Sequence, residues 1–385
     1  MKIYCLDPAD PGDGWLPFSG VRPIAELRAG AFLISDRWRR LLNADVAGVI
    51  SPATPRFADV GSHPVVDQTS IVGPAIVVRS TFAPIGTGLV LPPGVSGLTS
   101  NGATVAWLVP PGQRWQGPEA VPDGFAIRGM PLEQTADLVA ACERLLEDDC
   151  ASLRDDGGDT VPPGCVVLGD PAGLVVRTAS VEPHVVFDVR KGPIVLEADS
   201  VVRAGTRLEG PLYVGPHSWL LGGAIRHSAI GPHCRVHGEV SGSVFLGYAN
   251  KSHDGFVGHS VVGQWANLGA GTITSNLKNT YGPIRLDGPN GRMETGRSLL
   301  GSLIGDHAKT GIGTLLATGT VIGAGANVLA GKLPRYIRPF FWDQRDHLTL
   351  DGFLTIARRV MPRRGVEVTA ELEASLASLH GRLAR

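Results

Sequence analysis

From residue 196 the chain places an aliphatic side chain at every sixth position: Leu196, Val202, Leu208, Val214 and Leu220. After a slip the count resumes at Ile230 and Val236, again at Val262 and Leu268, and again at Leu316, Ile322 and Val328. Glycine often follows, as in Val214-Gly215, Ile230-Gly231, Ile304-Gly305 and Ile322-Gly323. A six-residue period fits neither an α-helix nor a long flat strand. It is the period of a parallel β-helix, in which each hexad supplies one short strand and a turn. The aliphatic residue points inward onto its counterpart in the next coil, and glycine or a small residue makes the corner. One coil buries little, so stability comes from stacking many. The 51 glycines of the chain are then corner residues rather than a mark of disorder.

The rest of the composition narrows the class. At 385 residues the chain has room for two domains. A formal net charge of -1 gives no bulk attraction to nucleic acid or to a membrane surface. No apolar run approaches the roughly 20 residues that span a bilayer. The opening MKIYCLDPAD lacks an apolar core of signal-peptide length, so a cytoplasmic location is expected. Cys5, Cys142, Cys150, Cys165 and Cys234 form no CxxC pair, which argues for reduced, buried thiols and against a zinc ribbon or a disulfide framework. No metal ligand set is assigned.

Ahead of the repeats the pattern changes. A strand over 2–6, a loop rich in Asp, Pro and Gly, a helix over 34–42 capped by Ser35 or Asp36, and a strand over 47–50 open an α/β domain. Short Val/Ile/Leu runs over 64–110 read as buried strands. A helix is predicted over 131–146, with Leu138, Cys142, Leu145 and Leu146 on one face. Asp148, Asp149, Asp155, Asp156 and Asp159 around Gly157-Gly158 read as a linker. Three units result: 1–188, 189–335 and a helical tail over 336–385. The repeats break over 279–300, where Asp287-Gly288-Pro289-Asn290-Gly291 predicts a β-hairpin excursion. In the tail, the aromatic-rich stretch 333–343 is expected to cover the open end of the coil. Helices are expected over 351–361 and 369–383, with Arg358, Arg359, Arg363 and Arg364 as a basic cluster.

A loop between a first strand and a helix is a place where phosphates bind. Here Gly12-Asp13-Gly14-Trp15, Pro17-Phe18, Arg22-Pro23-Ile24 and Ala29-Gly30-Ala31 resemble the opening of sugar-phosphate nucleotidyltransferases. Trp15, Ile24 and Ala31 stand where that family carries its charged residues. The resemblance therefore implies a degenerate nucleotidyltransferase-like domain. Arg22 and Arg28 are its remaining candidate cations for a nucleoside triphosphate or nucleotide sugar, with Mg2+ required if the domain is active. Asp59 and Asp67 are the default candidates to hold that ion.

The hexad region resembles the left-handed β-helix acyltransferases, which are usually trimers with active sites between subunits. Within it, Lys251-Ser252-His253, Val257-Gly258 and Asn267-Leu268-Gly269-Ala270-Gly271-Thr272-Ile273-Thr274-Ser275-Asn276 look most like the acetyltransferase half of the bifunctional N-acetylglucosamine-1-phosphate uridyltransferase. The resemblance implies acetyl transfer from acetyl-CoA to an amino sugar phosphate, with His253 as general base. An amine must lose a proton as it attacks a thioester, and imidazole titrates near neutrality. Lys251, Asn267 and Asn276 correspond to substrate-binding positions. Gly269, Ala270, Gly271, Thr272 and Lys309 correspond to positions that seat coenzyme A, the glycines keeping the coil surface flat. Ser241, Gly242 and Ser243 stand where lysines are expected, and Phe256 replaces a tyrosine. Both halves together resemble a branch of sugar nucleotidyltransferases with a shortened first domain.

Two alternatives remain open at this point. Trimeric β-helix carbonic anhydrases bind zinc through histidines on neighbouring coils, and His227, His233, His237, His253 and His259 lie in the right region. A sugar-nucleotide-binding scaffold without catalysis is the other.

Overall fold

The computed structural model describes residues 1–154, 161–329, 331, 333–342 and 347–384. The six-residue period folds as a parallel β-helix with three faces. The first face is a ladder of nine strands running from Leu174–Val176 through Ile194–Leu196, Leu212–Val214, Ala229–Ile230, Val244–Phe245, Val261–Val262, Leu303–Ile304 and Val321–Ile322 to Tyr336–Ile337. The second carries Asn250–Lys251, Asn267–Leu268, Lys309–Thr310 and Asn327–Val328 in its later coils. The third includes Phe256–Gly258, Ile273–Thr274 and Leu315–Leu316. The predicted inward residues, from Leu196 to Val328, form one buried core. The coil already includes Val166–Leu168, paired in parallel with Val186–Asp188 in a sheet other than the first face.

The slip in the hexad count has a local cause. Strand Trp219–Arg226 runs straight through a corner, and its register against the next coil shifts between Leu220 and Gly223. Gly222 and Gly223 take φ of 131° and 88° there, angles open to glycine.

Another corner departs from the expected glycine. At the turn after six of the nine first-face strands the left-handed position is held by His217, His233, Tyr248, Trp265, His307 and Phe340, with φ between 53° and 60°. The cost of that conformation in a non-glycine residue is offset by stacking. Ring centroids lie 4.6 Å apart for His217 and His233, 4.7 Å for His233 and Tyr248 and 4.3 Å for Tyr248 and Trp265.

The first domain is built on β1 (Lys2–Leu6), α1 (Ile34–Leu42), β2 (Val46–Ile50), β3 (Ala75–Arg79), β4 (Gly97–Ser100), β5 (Ala103–Val109) and β6 (Phe125–Ala126). The sheet order is β2-β1-β3-β5-β4-β6. β1 pairs in parallel with β2 and β3, whereas β5 runs antiparallel to β3 and β4. α1 begins where expected, but Leu33 precedes it and no side chain caps it; Ser35 is buried inside the helix instead.

The next helix, α2 (Ala136–Arg154), begins and ends later than the periodicity predicts. It runs into the acidic stretch because Asp149 is buried against Arg37 and accepts from the Ala31 amide at 2.8 Å. Asp155, Asp156, Gly157, Gly158 and Asp159 lie outside the described residues. α2 lies across the first face of the coil. Tyr213, Ala229, Val244, Val261, Leu303 and Val321 point away from the coil interior into a core shared with the first domain. This is why first-face strands read as unbroken apolar pairs: both sides of that face are buried.

Residues Arg285–Gly288 and Gly291–Glu294 form the expected antiparallel hairpin. Its tip reaches the first domain, where the Asn290 amide donates to Asp13 at 3.1 Å. The tail supplies the last first-face strand and then α3 (Leu350–Val360) and α4 (Ala370–Leu383). Phe353, Leu372, Leu376 and Leu379 close over the aromatic corner in a core with Tyr248, Trp265 and Phe340. Asp343, the end of the aromatic-rich stretch, lies outside the described residues.

Candidate active site

Where the tail crosses the second face it leaves a cleft of about 480 Å³. Tyr248, Asn250, Ser252, His253, Trp265, Asn267 and Lys309 line it from the coil, and Val360, Arg363 and Arg364 from the tail. Three residues expected from the sequence, His253, Asn267 and Lys309, are thus brought together. Asn250 pairs directly with Asn267 in the ladder, and its amide donates to the Asn267 side-chain oxygen at 2.8 Å. Ser252 donates to Asn250 at 2.6 Å. Asn250 and Ser252 escape a motif reading; their signal is register, since Asn250 stands one coil below Asn267.

His253 sits exposed on the turn after Asn250–Lys251. Lys251 does not face the cleft. It occupies an inward coil position, is 2% exposed, and its ammonium donates to the carbonyls of His237 and His253. Burial pushes its pKa down to about 8. The expected substrate ligand is a post that fixes the His253 turn from inside. Lys309 donates to the His307 carbonyl at 3.1 Å, and burial pushes it down to about 8 as well.

Asn276 stands away from the cleft and contacts His259 Nδ1 at 2.8 Å. Gly269, Ala270, Gly271 and Thr272 turn the corner after Asn267. Glycine at 269 has a coil-to-coil reason: a Cβ there would lie 2.6 Å from Gly311 of the next coil. Thr272 bonds Thr310 across the same step at 2.7 Å.

The first-domain candidates lie elsewhere and are engaged within the chain. Arg22 is 3% exposed and binds Asp306 at 2.7 Å and Asp59 at 3.0 Å. Arg28 is buried, donates to the Ala31 carbonyl and lies over the Tyr213 ring. Neither is free to meet a triphosphate. Several donors in and after the glycine loop are also committed: Gly12 to Asp10, Trp15 to Gly12, Leu16 to Asp13, and Phe18 and Ser19 to Trp15. Trp15 is 2% exposed and fills the loop.

The residues present do not fit a Mg2+ ion either. Asp59 is taken by Arg22, and Asp67 caps a short turn through Thr69. Asp7 accepts from the Ile24 amide and Ser51, and burial pushes it up to about 6. Among the described residues no group of three or more His, Cys, Asp or Glu side chains is placed to hold a metal ion. The five histidines of the zinc alternative are distributed over several corners. His233 belongs to the aromatic stack, and His259 lies 3.9 Å from Glu143 of α2.

A parallel β-helix with a polar, cation-bearing cleft, joined to an α/β domain, defines the class. Comparison with known proteins agrees. No family model matches the chain. It is 34% identical over 151 residues to a bifunctional sugar-1-phosphate nucleotidylyltransferase/acetyltransferase of Sulfurisphaera tokodaii, covering 37% of each chain. It is 35% identical over 98 residues to the bifunctional protein GlmU of Methanococcus vannielii, covering 24% of this chain and 23% of that one. With the GlmU of a Jannaschia species it shares 31% over 163 residues, covering 40% of this chain and 31% of the relative. The chain thus spans between 23% and 37% of the length of these relatives. Among the described residues no helix is long and apolar enough to cross a membrane.

Proposed function

We propose that the chain is a transferase of nucleotide-sugar biosynthesis that moves an acetyl group from acetyl-CoA to an amino sugar phosphate on the coil. The observation that carries this reading is the convergence of His253, Asn267 and Lys309 in one cleft. In the proposed step His253 takes a proton from the amine as its nitrogen bonds the acetyl carbon. The carbon–sulfur bond breaks, and the coenzyme A sulfur leaves with the proton. Asn250 and Asn267, already bonded to one another, present amide groups for sugar hydroxyls. Lys251 holds the His253 turn at its carbonyl, so the base is positioned from inside the coil.

The first domain is proposed as a packed partner of the coil rather than a nucleotidyl-transfer site, a reading supported by the commitment of Arg22, Arg28 and the glycine-loop donors. A cytoplasmic homotrimer is part of the same proposal. Ile312, Leu315 and Ile273, 78%, 65% and 42% exposed on and beside the third face, support a contact there with a second copy; a single-chain mass at sedimentation equilibrium would remove it.

The test is coenzyme A release from acetyl-CoA with a panel of amino sugar phosphates. Release that needs the sugar and falls by at least about a hundredfold in His253→Ala is expected, the usual worth of a general base. No release with any acceptor from folded protein would end the acetyl-transfer reading.

A further inference from the structure

The cleft gathers positive charge without a carboxylate to offset it. Lys309 enters from the coil, and Arg363 and Arg364 enter from the turn that follows α3. None of the described residues lining the cleft is acidic. Arg235 stands directly below Asn250 in the ladder. Its guanidinium donates to the carbonyls of His217 and Cys234, both at 2.9 Å, and packs over Trp219 at 4.2 Å. Its burial, then its nearness to Arg364, pushes it down to about 10. Nearby acids are spent elsewhere: Asp306 on Arg22, and Glu373 on Arg358. Two buried donors in the lining residues, Arg364 Nε and Trp265 Nε1, have no acceptor, although Trp265 is 2% exposed. Like charges and unmet donors held together in a partly buried place are costly unless an anion joins them.

We propose that Lys309, Arg363 and Arg364, backed by Arg235, form a phosphate-binding subsite that the chain completes with its own tail. It takes a phosphate or pyrophosphate group, carried either by the acyl donor or by the sugar acceptor. This rests on reading the cleft as the substrate site. A guanidinium fork matches the oxygen spacing of a phosphate, and the lysine adds a point charge. Arg358 and Arg359 belong to the same basic run but serve another purpose: Arg358 holds Glu373 of α4 at 2.6 Å, and Arg359 is exposed.

Calorimetric titration of the full chain separates the sources. The probes are inorganic pyrophosphate, coenzyme A, pantetheine, glucosamine 1-phosphate and glucosamine. The variants are Arg363→Gln with Arg364→Gln, Lys309→Gln on the coil, and Arg359→Gln as a control. Pyrophosphate affinity should fall at least about tenfold in the first two and hold in the third. Coenzyme A weakened while glucosamine 1-phosphate holds assigns the subsite to the donor; the converse assigns it to the acceptor. Pantetheine and glucosamine should keep their affinities in either case. Equal pyrophosphate binding by all variants, or none by the wild type, overturns the subsite. Lys309→Gln covers the case in which the tail variant does not fold. Because the readout is binding, a chain that binds pyrophosphate through these residues but releases no coenzyme A loses only the acetyl-transfer reading.

Discussion

Lys251 occupies an inward coil position, where Val236 one coil below and Leu268 one coil above are aliphatic. A buried ammonium is tolerated because two carbonyls meet it, and one of them belongs to His253. Its pKa of about 8 lies below the ordinary 10.5. Between those values the unfolded chain holds the extra proton, so this residue's contribution to stability grows as pH rises through the window; below pH 8 the burial cost is present in full. Urea unfolding of wild type and Lys251→Met at pH 7.5 and 9.5 should therefore show the difference moving in favour of wild type by ~1–2 kcal/mol. A difference that does not move with pH would overturn the assignment. The comparison must be a difference, because burial pushes Cys142 and Cys234 up to about 12 and about 11, and those thiols lower stability as the unfolded chain ionises. His253, Asn267 and Lys309 were singled out by the resemblance of their segments to the acyltransferases, and the fold places all three along one cleft. The inward turn of Lys251 was not, since its motif and its coil register give opposite readings, and only the fold says which one applies.

The elements meet through a few strong ties. Arg22 follows the glycine loop of the first domain, yet its main partner is Asp306 on a coil corner next to His307 and Lys309. All three charges of the Arg22, Asp59 and Asp306 cluster are buried, so removing one leaves the others uncompensated. Arg22→Met should cost about 3–5 kcal/mol, read from denaturant midpoints; a loss below 1 kcal/mol would show that the cluster relaxes into solvent. A basic residue beside a glycine loop reads as a phosphate ligand when no partner is in view. The partner lies 284 positions later in the chain, beyond any local pattern. The aromatic corner was hidden for a related reason. His, Tyr, Trp and Phe share no motif, and only the coil places them in one stack. The repeat, the hairpin and α4 were legible because each is a local pattern of spacing or turn residues.

At the scale of the whole molecule, coil and first domain share one buried core. The first face of the coil presents Tyr213, Val244, Val261, Leu303 and Val321 to the first domain. Residues 161–385 expressed alone would expose that strip, a contiguous apolar patch that soluble monomers rarely carry. They should aggregate or bind an apolar dye, and a soluble, cooperatively unfolding fragment would show that the coil needs no partner. α2 touches the first-face strands from Leu174–Val176 to Val261–Val262. Its 19 residues measure about 28 Å, while those six strands, at roughly 4.8 Å each step, span about 24 Å. The helix is a ruler laid along the stack. Repeat proteins ordinarily gain or lose length by whole-unit duplication, and here that route is closed beneath the ruler, since one coil more or less would slide every contact past its mate. The hairpin excursion enters just beyond the ruler's end, between Val262 and Leu303, where added length disturbs no measured span.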